Sequence, residues 1–283
     1  MKICVAGLGI IGGSICLALK RAGYSVDGWN RSSLPREYAL NNGIIDGVAD
    51  GFEGYDAVFV ALPPKATVGF ILDNRFKDGA CVYDICGVKA PIERAICRDK
   101  RNFSYVGTHP MAGKEISGIK AACADLFDGA SMVITTNADT DLKALELIRR
   151  LTAEMGFGRI VECSAEVHDR KIAYTSQLAH IVSNAYVKDG EIDCCLGFTG
   201  GSFQDMTRIA GVDENVWAEL YLENAGNISE KISSLVSSLE EIKAAIDGGD
   251  VKKLAEVLRE GGIAFEESKK IKSDSGIFVK KLK

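Results

Sequence analysis

Long apolar runs are missing from this chain: none reaches the roughly 18 to 20 residues that a helix needs to cross a bilayer. Met1-Lys2-Ile3-Cys4-Val5 enters a strand-like segment directly, with no signal-peptide pattern. No membrane partner is expected, and the protein reads as cytoplasmic. Positive charge is also short. The 34 Lys and Arg against 39 Asp and Glu leave a formal charge of −5, a field that repels a polyphosphate backbone, so nucleic acid is not expected as a partner. Proline is scarce, at 5 residues, and with 47% hydrophobic and 26% charged residues the composition excludes disordered and low-complexity classes. Histidine is scarcer still. Three histidines accompany nine cysteines that show no CxxC spacing, the nearest pairs being Cys81/Cys86 and Cys194-Cys195. No metal site is expected, and an odd number of cysteines scattered through core-like segments reads as reduced thiols.

What is present divides by period. Up to residue 163, short β-rich apolar runs alternate with helix-length segments: Lys2–Ala6, Ser25–Trp29, Ala57–Leu62, Ala80–Tyr83, Tyr105–Thr108, Met132–Thr135 and Gly158–Glu162. Runs apolar at nearly every position, such as Ala57-Val58-Phe59-Val60-Ala61, suit a sheet covered on both faces, and the alternation predicts an α/β doubly wound parallel sheet over residues 1–163. From 164 to 283 helical spacing takes over, clearest in Ile228, Ile232, Leu235, Val236, Leu239, Ile242 and Ile246, and an all-helical second domain is expected, with a cleft at the junction.

The run Val5-Ala6-Gly7-Leu8-Gly9-Ile10-Ile11-Gly12-Gly13-Ser14 follows the first strand and opens a helix. Gly7 permits the tight turn, Gly9 lets backbone approach a pyrophosphate, and Gly12 allows helix and sheet to pack closely, so the loop predicts a bound dinucleotide; a glycine-rich turn serving only packing is the alternative. Where a carboxylate would bind a ribose 2′-hydroxyl, this chain has Asn30-Arg31-Ser32. An uncharged residue beside a cation and a hydroxyl favours NADP over NAD. Leu62 and Pro63, in a rigid turn at the carboxyl edge of the sheet, are expected to line the cofactor.

Gly107-Thr108-His109-Pro110-Met111-Ala112-Gly113 places a histidine just past a strand at the same edge, held extended by the proline. Gln177 and His180, one helical turn apart, are able to face one ligand. His168, among Glu166, Asp169, Arg170 and Lys171, reads as part of a solvated helix face. In Gly200-Gly201-Ser202-Phe203-Gln204-Asp205-Met206-Thr207-Arg208, Ser202 is a candidate helix cap, and Arg208 could take a carboxylate in two-pronged fashion or pair internally with Asp205 or Asp213. Trp217 is core or pocket wall.

Taken together these segments resemble the TyrA-type prephenate/arogenate (cyclohexadienyl) dehydrogenases of tyrosine biosynthesis. The resemblance runs through Gly7-x-Gly9-x-x-Gly12, Ala61-Leu62-Pro63-Pro64, Asp84 to Lys89, His109-Pro110-Met111-Ala112-Gly113, Ser176-Gln177-Leu178-Ala179-His180 and Thr207-Arg208-Ile209-Ala210. It implies a Rossmann domain followed by a helical dimerisation domain, a homodimer, and oxidative decarboxylation of prephenate or arogenate. His109 would accept a hydrogen bond from the ring C4 hydroxyl as hydride leaves for NADP or NAD. Arg208 would pair with a substrate carboxylate, His180 and Gln177 would contact its polar groups, and Gly201 and Trp217 would shape the pocket. A dianionic substrate in a negatively charged protein independently calls for a buried cation. Two positions depart from the pattern. Gly87 stands where many members carry a serine that supports the histidine, leaving Cys86, a water or the cofactor as substitutes, and Ala179 stands where proline is frequent. No ACT or chorismate mutase domain is expected. The alternatives are a β-hydroxyacid dehydrogenase, whose class relies on a lysine of the helical domain, and a non-catalytic dinucleotide sensor.

Overall fold

The computed structural model describes residues 1–114, 116–192, 195–272 and 279–281; Cys194 lies outside them. The order of elements is β1 (Ile3–Ala6), α1 (Ile10–Arg21), β2 (Val26–Trp29), α2 (Ser33–Asn41), β3 (Gly47–Val48), β4 (Ala57–Val60), α3 (Pro64–Asp73), β5 (Cys81–Asp84), α4 (Ala90–Ile96), β6 (Ser104–Met111), β7 (Ser131–Thr135), α5 (Leu142–Glu154) and β8 (Arg159–Cys163). Then follow α6 (Ala165–Ile172), a π-helical turn (Ala173–Gln177), α7 (Leu178–Tyr186), α8 (Gly201–Thr207), α9 (Glu214–Glu223), α10 (Ala225–Asp247), α11 (Val251–Lys272) and β9 (Val279–Lys281).

The strands form one sheet in the order β3-β2-β1-β4-β5-β6-β7-β8-β9. Successive side chains of a strand face opposite ways, and here both faces are covered. Ile3, Val5, Ala57, Phe59 and Tyr83 enter the core on one side, Cys4, Ala6, Val58, Val60 and Val82 the core on the other. The chain leaves β1 towards β2 and returns to β4 on the opposite flank, so the crevice between the carboxyl ends of β1 and β4 is the switch point at which ligands of such sheets bind.

Three features correct the sequence reading. The sheet is not wholly parallel: β6 and β7 run antiparallel. β6 outruns β5, whose last pairing is Asp84 with Gly107, and from Thr108 to Met111 it is bordered by β7 alone. His109 therefore lies on this overhang, within a strand rather than just past it. Pro110 is tolerated there because β6 has become one-sided. The second half is also not purely helical, since β9 pairs parallel with β8 and covers the sheet edge. Strands as short as β3 and β9 carry no periodic signal to read.

α6 is capped by Ser164, whose side chain accepts from Val167 N, and it buries Ala165, His168, Asp169 and Ile172, a spacing of three, four and seven that traces one face. The apolar stripe of α10 behaves differently. Ile228 is buried, whereas Val236, Leu239 and Ile246 are exposed, as are Val251, Leu258, Ile263 and Phe265 on α11.

Candidate active site

Turns at the carboxyl ends of β1 and β4 build one wall. Gly7 has φ +99°, and a Cβ there would lie 2.1 Å from the Ala61 carbonyl oxygen, so only glycine lets the two turns touch. A Cβ on Gly12 would sit 1.8 Å from the Gly7 carbonyl oxygen. Gly9 differs, because a Cβ on it would meet nothing within 4 Å. Open space thus stands at the amino terminus of α1, whose first N–H groups have no partner within the helix, and a pyrophosphate fits this cradle. Leu8 is buried, while Ile10 and Ile11 are half-buried on the first turn. Leu8 N donates to Asn30 Oδ1 at 3.0 Å, tying the loop to the end of β2. Arg31 and Ser32 lie beyond it, both exposed. The Asp27 carboxylate accepts from the Tyr55 hydroxyl at 2.8 Å. Pro63 precedes α3, and the Leu62 carbonyl accepts from Thr67 Oγ1 at 2.9 Å and Cys86 Sγ at 3.2 Å. With its thiol engaged by Thr67 and Leu62, Cys86 is removed as a support for His109.

Beside this cleft lies a cavity of about 1070 Å³, lined from the sheet side by Gly87, His109 to Lys114 and Ser117 and from the helical side by Ser176, Gln177, His180, Arg208, Asp213, Trp217 and Leu220, among others. Residues 109, 180 and 208, far apart in sequence, thus share one cavity. Gly201 opens α8 and is not among the lining residues. Gly200, not Ser202, occupies the cap position of α8, with no side-chain cap bond. Asp213 does cap α9, accepting from the N–H groups of Asn215 and Val216. Arg208, the residue just after α8, lines the cavity but is exposed rather than buried.

His180 Nδ1 lies 3.0 Å from the Ile209 carbonyl oxygen. A carbonyl only accepts, so Nδ1 carries the proton and Nε2 is left to face a ligand. The ring lies 4.1 Å, centroid to centroid, from Trp217, which makes Trp217 a wall of the pocket. Gln177 reaches the cavity, but its amide is held at both ends: Oε1 accepts from Asn224 Nδ2 at 2.6 Å, and Nε2 lies 3.5 Å from the Leu220 carbonyl.

His168 is the residue the sequence reading misplaced. It is 2% exposed, not solvated. Its Nε2 lies 2.9 Å from His109 Nδ1 and its Nδ1 lies 2.7 Å from Asp169 Oδ1. The buried face of α6 was legible as spacing, but the charged neighbours Glu166, Arg170 and Lys171 outweighed it. Asp169 also accepts from Lys89 N at 2.8 Å and Ala90 N at 2.9 Å, so a side chain of the helical half caps α4 of the sheet half. Lys89 in turn forms a buried ion pair with Asp84, which accepts from the Tyr105 hydroxyl as well. Burial pushes the His109 pKa well below its ordinary value, and the nearby His168 and Lys89 push the same way. Burial lowers His168 too, against an opposing pull from Asp169.

Two family models match the chain in succession: the prephenate dehydrogenase nucleotide-binding domain over residues 15–162, and the prephenate dehydrogenase dimerization domain over 164–260. The chain belongs to the prephenate dehydrogenase family. It is accordingly an NAD(P)-dependent oxidoreductase with a Rossmann-type sheet domain, and its cofactor is a nicotinamide dinucleotide. A cyclohexadienyl dehydrogenase from Zymomonas mobilis is 29% identical over 273 residues, covering 91% of this chain and 92% of the relative. A crystal structure of prephenate dehydrogenase from Aquifex aeolicus, in complex with hydroxyphenyl propionate and NAD+, matches with a TM-score of 0.83 at 29% identity, over 94% of this chain and 98% of that one. The hydroxyacid dehydrogenase alternative is distant: a 3-hydroxyisobutyrate dehydrogenase from Salmonella typhimurium shares the fold alone, at 14% identity and a TM-score of 0.52.

Proposed function

We propose that this prephenate dehydrogenase-family protein oxidises and decarboxylates prephenate, with arogenate as the second candidate substrate. The observation that carries the reading is the convergence of His109, His180 and Arg208 on one cavity beside the glycine cradle. His109 Nε2 accepts the hydrogen bond of the ring C4 hydroxyl and takes its proton as the C4 hydride departs. A bound nicotinamide supplies the hydride acceptor. Loss of the ring carboxylate as carbon dioxide makes the ring aromatic, so the chain's task is to align the reacting groups and balance charge. Arg208 pairs with one substrate carboxylate, and His180 Nε2 contacts another polar group. Trp217 bounds the ring, Gln177 holds the Leu220 backbone in place, and Gly201, outside the cavity lining, shapes the pocket only through the start of α8.

Gly7, Leu8, Gly9, Ile10, Ile11 and Gly12 hold the cofactor phosphates, with Leu62 and Pro63 beside them. NADP is the preferred cofactor in this reading. Arg31 and Ser32 are exposed beyond Asn30, while the one carboxylate on β2, Asp27, is engaged by Tyr55. The division at Ser164 into cofactor-binding and helical halves belongs to the same proposal, as does a cytoplasmic homodimer formed through α10 and α11. Among the described residues no helix is long and apolar enough to cross a membrane. Against a hydroxyacid dehydrogenase, the one lysine among the described residues lining the cavity, Lys114, comes from the sheet half, where that class needs one from the helices.

A two-by-two comparison of initial rates, prephenate and arogenate with NAD and NADP, tests the reading. The expected result is fastest reduction with prephenate and NADP. Absence of turnover in all four combinations would overturn it and favour a non-catalytic sensor.

A further inference from the structure

The buried chain of groups behind His109 has a direction that hydrogen-bond chemistry fixes. Asp169 receives three contacts, from Lys89 N, Ala90 N and His168 Nδ1, and the two backbone groups can only donate to it. With the carboxylate accepting, His168 Nδ1 carries a proton. In the neutral ring His168 Nε2 is then an acceptor, and the 2.9 Å contact requires His109 Nδ1 to donate to it. That leaves His109 Nε2 unprotonated on the cavity side, close to Gly87. A Cβ added to Gly87 would stand 3.8 Å from Nε2, so a side chain at 87 would approach this nitrogen and not the one His168 holds.

We propose that His168 and Asp169 are positioning residues that set the tautomer of His109 and take over its positive charge during hydride transfer. This rests on the reading of His109 as the base. The substrate hydroxyl proton moves to His109 Nε2 while the Nδ1 proton of His109 moves to His168 Nε2. One proton enters the chain, His109 ends neutral, and the positive charge rests on His168 against Asp169. The C4 hydride goes to the nicotinamide, so charge and atoms balance. Lys89 and Asp84 flank this chain from the sheet half, already paired with each other. Asn224 Nδ2, donating to the Asp169 carbonyl at 2.9 Å, holds it from the start of α10. The base on the sheet overhang is thereby set only when the helical half is docked, and Gly87 leaves Nε2 to the substrate alone.

Imidazole nitrogen spectra of the full-length protein read the tautomer without turnover, and three histidines make the assignment tractable. The unmodified protein is expected to show His109 as the neutral Nδ1–H form, and His168→Leu to lose that preference. A His109 found mainly as Nε2–H overturns the proposal. In kinetics, His168→Leu should lower kcat roughly 100-fold, the scale of a misoriented reacting group, with KM within about twofold. His168→Gln, which keeps an acceptor for His109 but cannot hold the proton, should recover about tenfold of that loss. A kcat within twofold of the unmodified enzyme for His168→Leu overturns the proposal, as does a rise in KM that accounts for the whole loss in kcat/KM. A failure of the underlying reading is separable, because His109→Asn would then also leave turnover intact while the tautomer spectra stand unaffected.

Discussion

At the scale of the residue, the decisive property is which nitrogen of an imidazole is basic and over what pH range. His109 is held well below its ordinary pKa of 6.5, first by burial and then by His168 and Lys89. A base held low remains unprotonated, hence competent, at pH values where an exposed imidazole would already be charged. The acid limb of kcat/KM, which reports the free enzyme, should therefore fall below pH 6.5, and a limb at or above 6.5 would contradict the burial argument. Stability carries the same sign. The unfolded chain takes up a proton below about pH 6.5 that the folded one refuses, so each buried histidine lowers stability as pH falls through that value.

At the scale of the element, the two demands on the glycine loop are separable. Gly12→Ala would drive a Cβ to 1.8 Å from the Gly7 carbonyl, whereas Gly9→Ala enters open space. Gly12→Ala should lower the melting temperature and abolish cofactor binding. Gly9→Ala should melt within a degree or two of the unmodified protein and bind NADP about tenfold more weakly or worse, because only the approaching phosphate is obstructed. Equal melting losses for the two would contradict this. Elements of this kind were legible in the sequence because their spacing states their geometry: the strands of the sheet core and the loop after β1. The antiparallel turn of β6 against β7 was not, since a strand's period is the same in either direction. Nor was the role of His168, whose three, four, seven spacing was present but whose partner, His109, arrives from an element 59 residues away. Sequence brought His109, His180 and Arg208 forward as candidates; only the fold could place them on one cavity and set Gly201 outside its lining.

At the scale of the whole molecule, the proposed function has a net-negative protein hold an anion in a cavity lined from both the sheet half and the helical half, so the helical half must dock to complete the site. The apolar residues left exposed on α10 and α11, including Val236, Leu239 and Phe265, form a surface that a single chain leaves wet, consistent with the dimerization-domain match. Leu239→Asp should shift the mass measured by light scattering from two chains towards one; an unchanged mass would place the dimer elsewhere or deny it. The account as a whole depends on one imidazole, that of His109, taking the proton of the substrate hydroxyl. Reduced-nicotinamide absorbance, followed with prephenate and NADP for the unmodified enzyme and for His109→Asn at equal folded concentration, tests it most directly. A loss of about 10²- to 10⁴-fold in turnover is predicted for the variant, and turnover close to that of the unmodified enzyme would contradict the account.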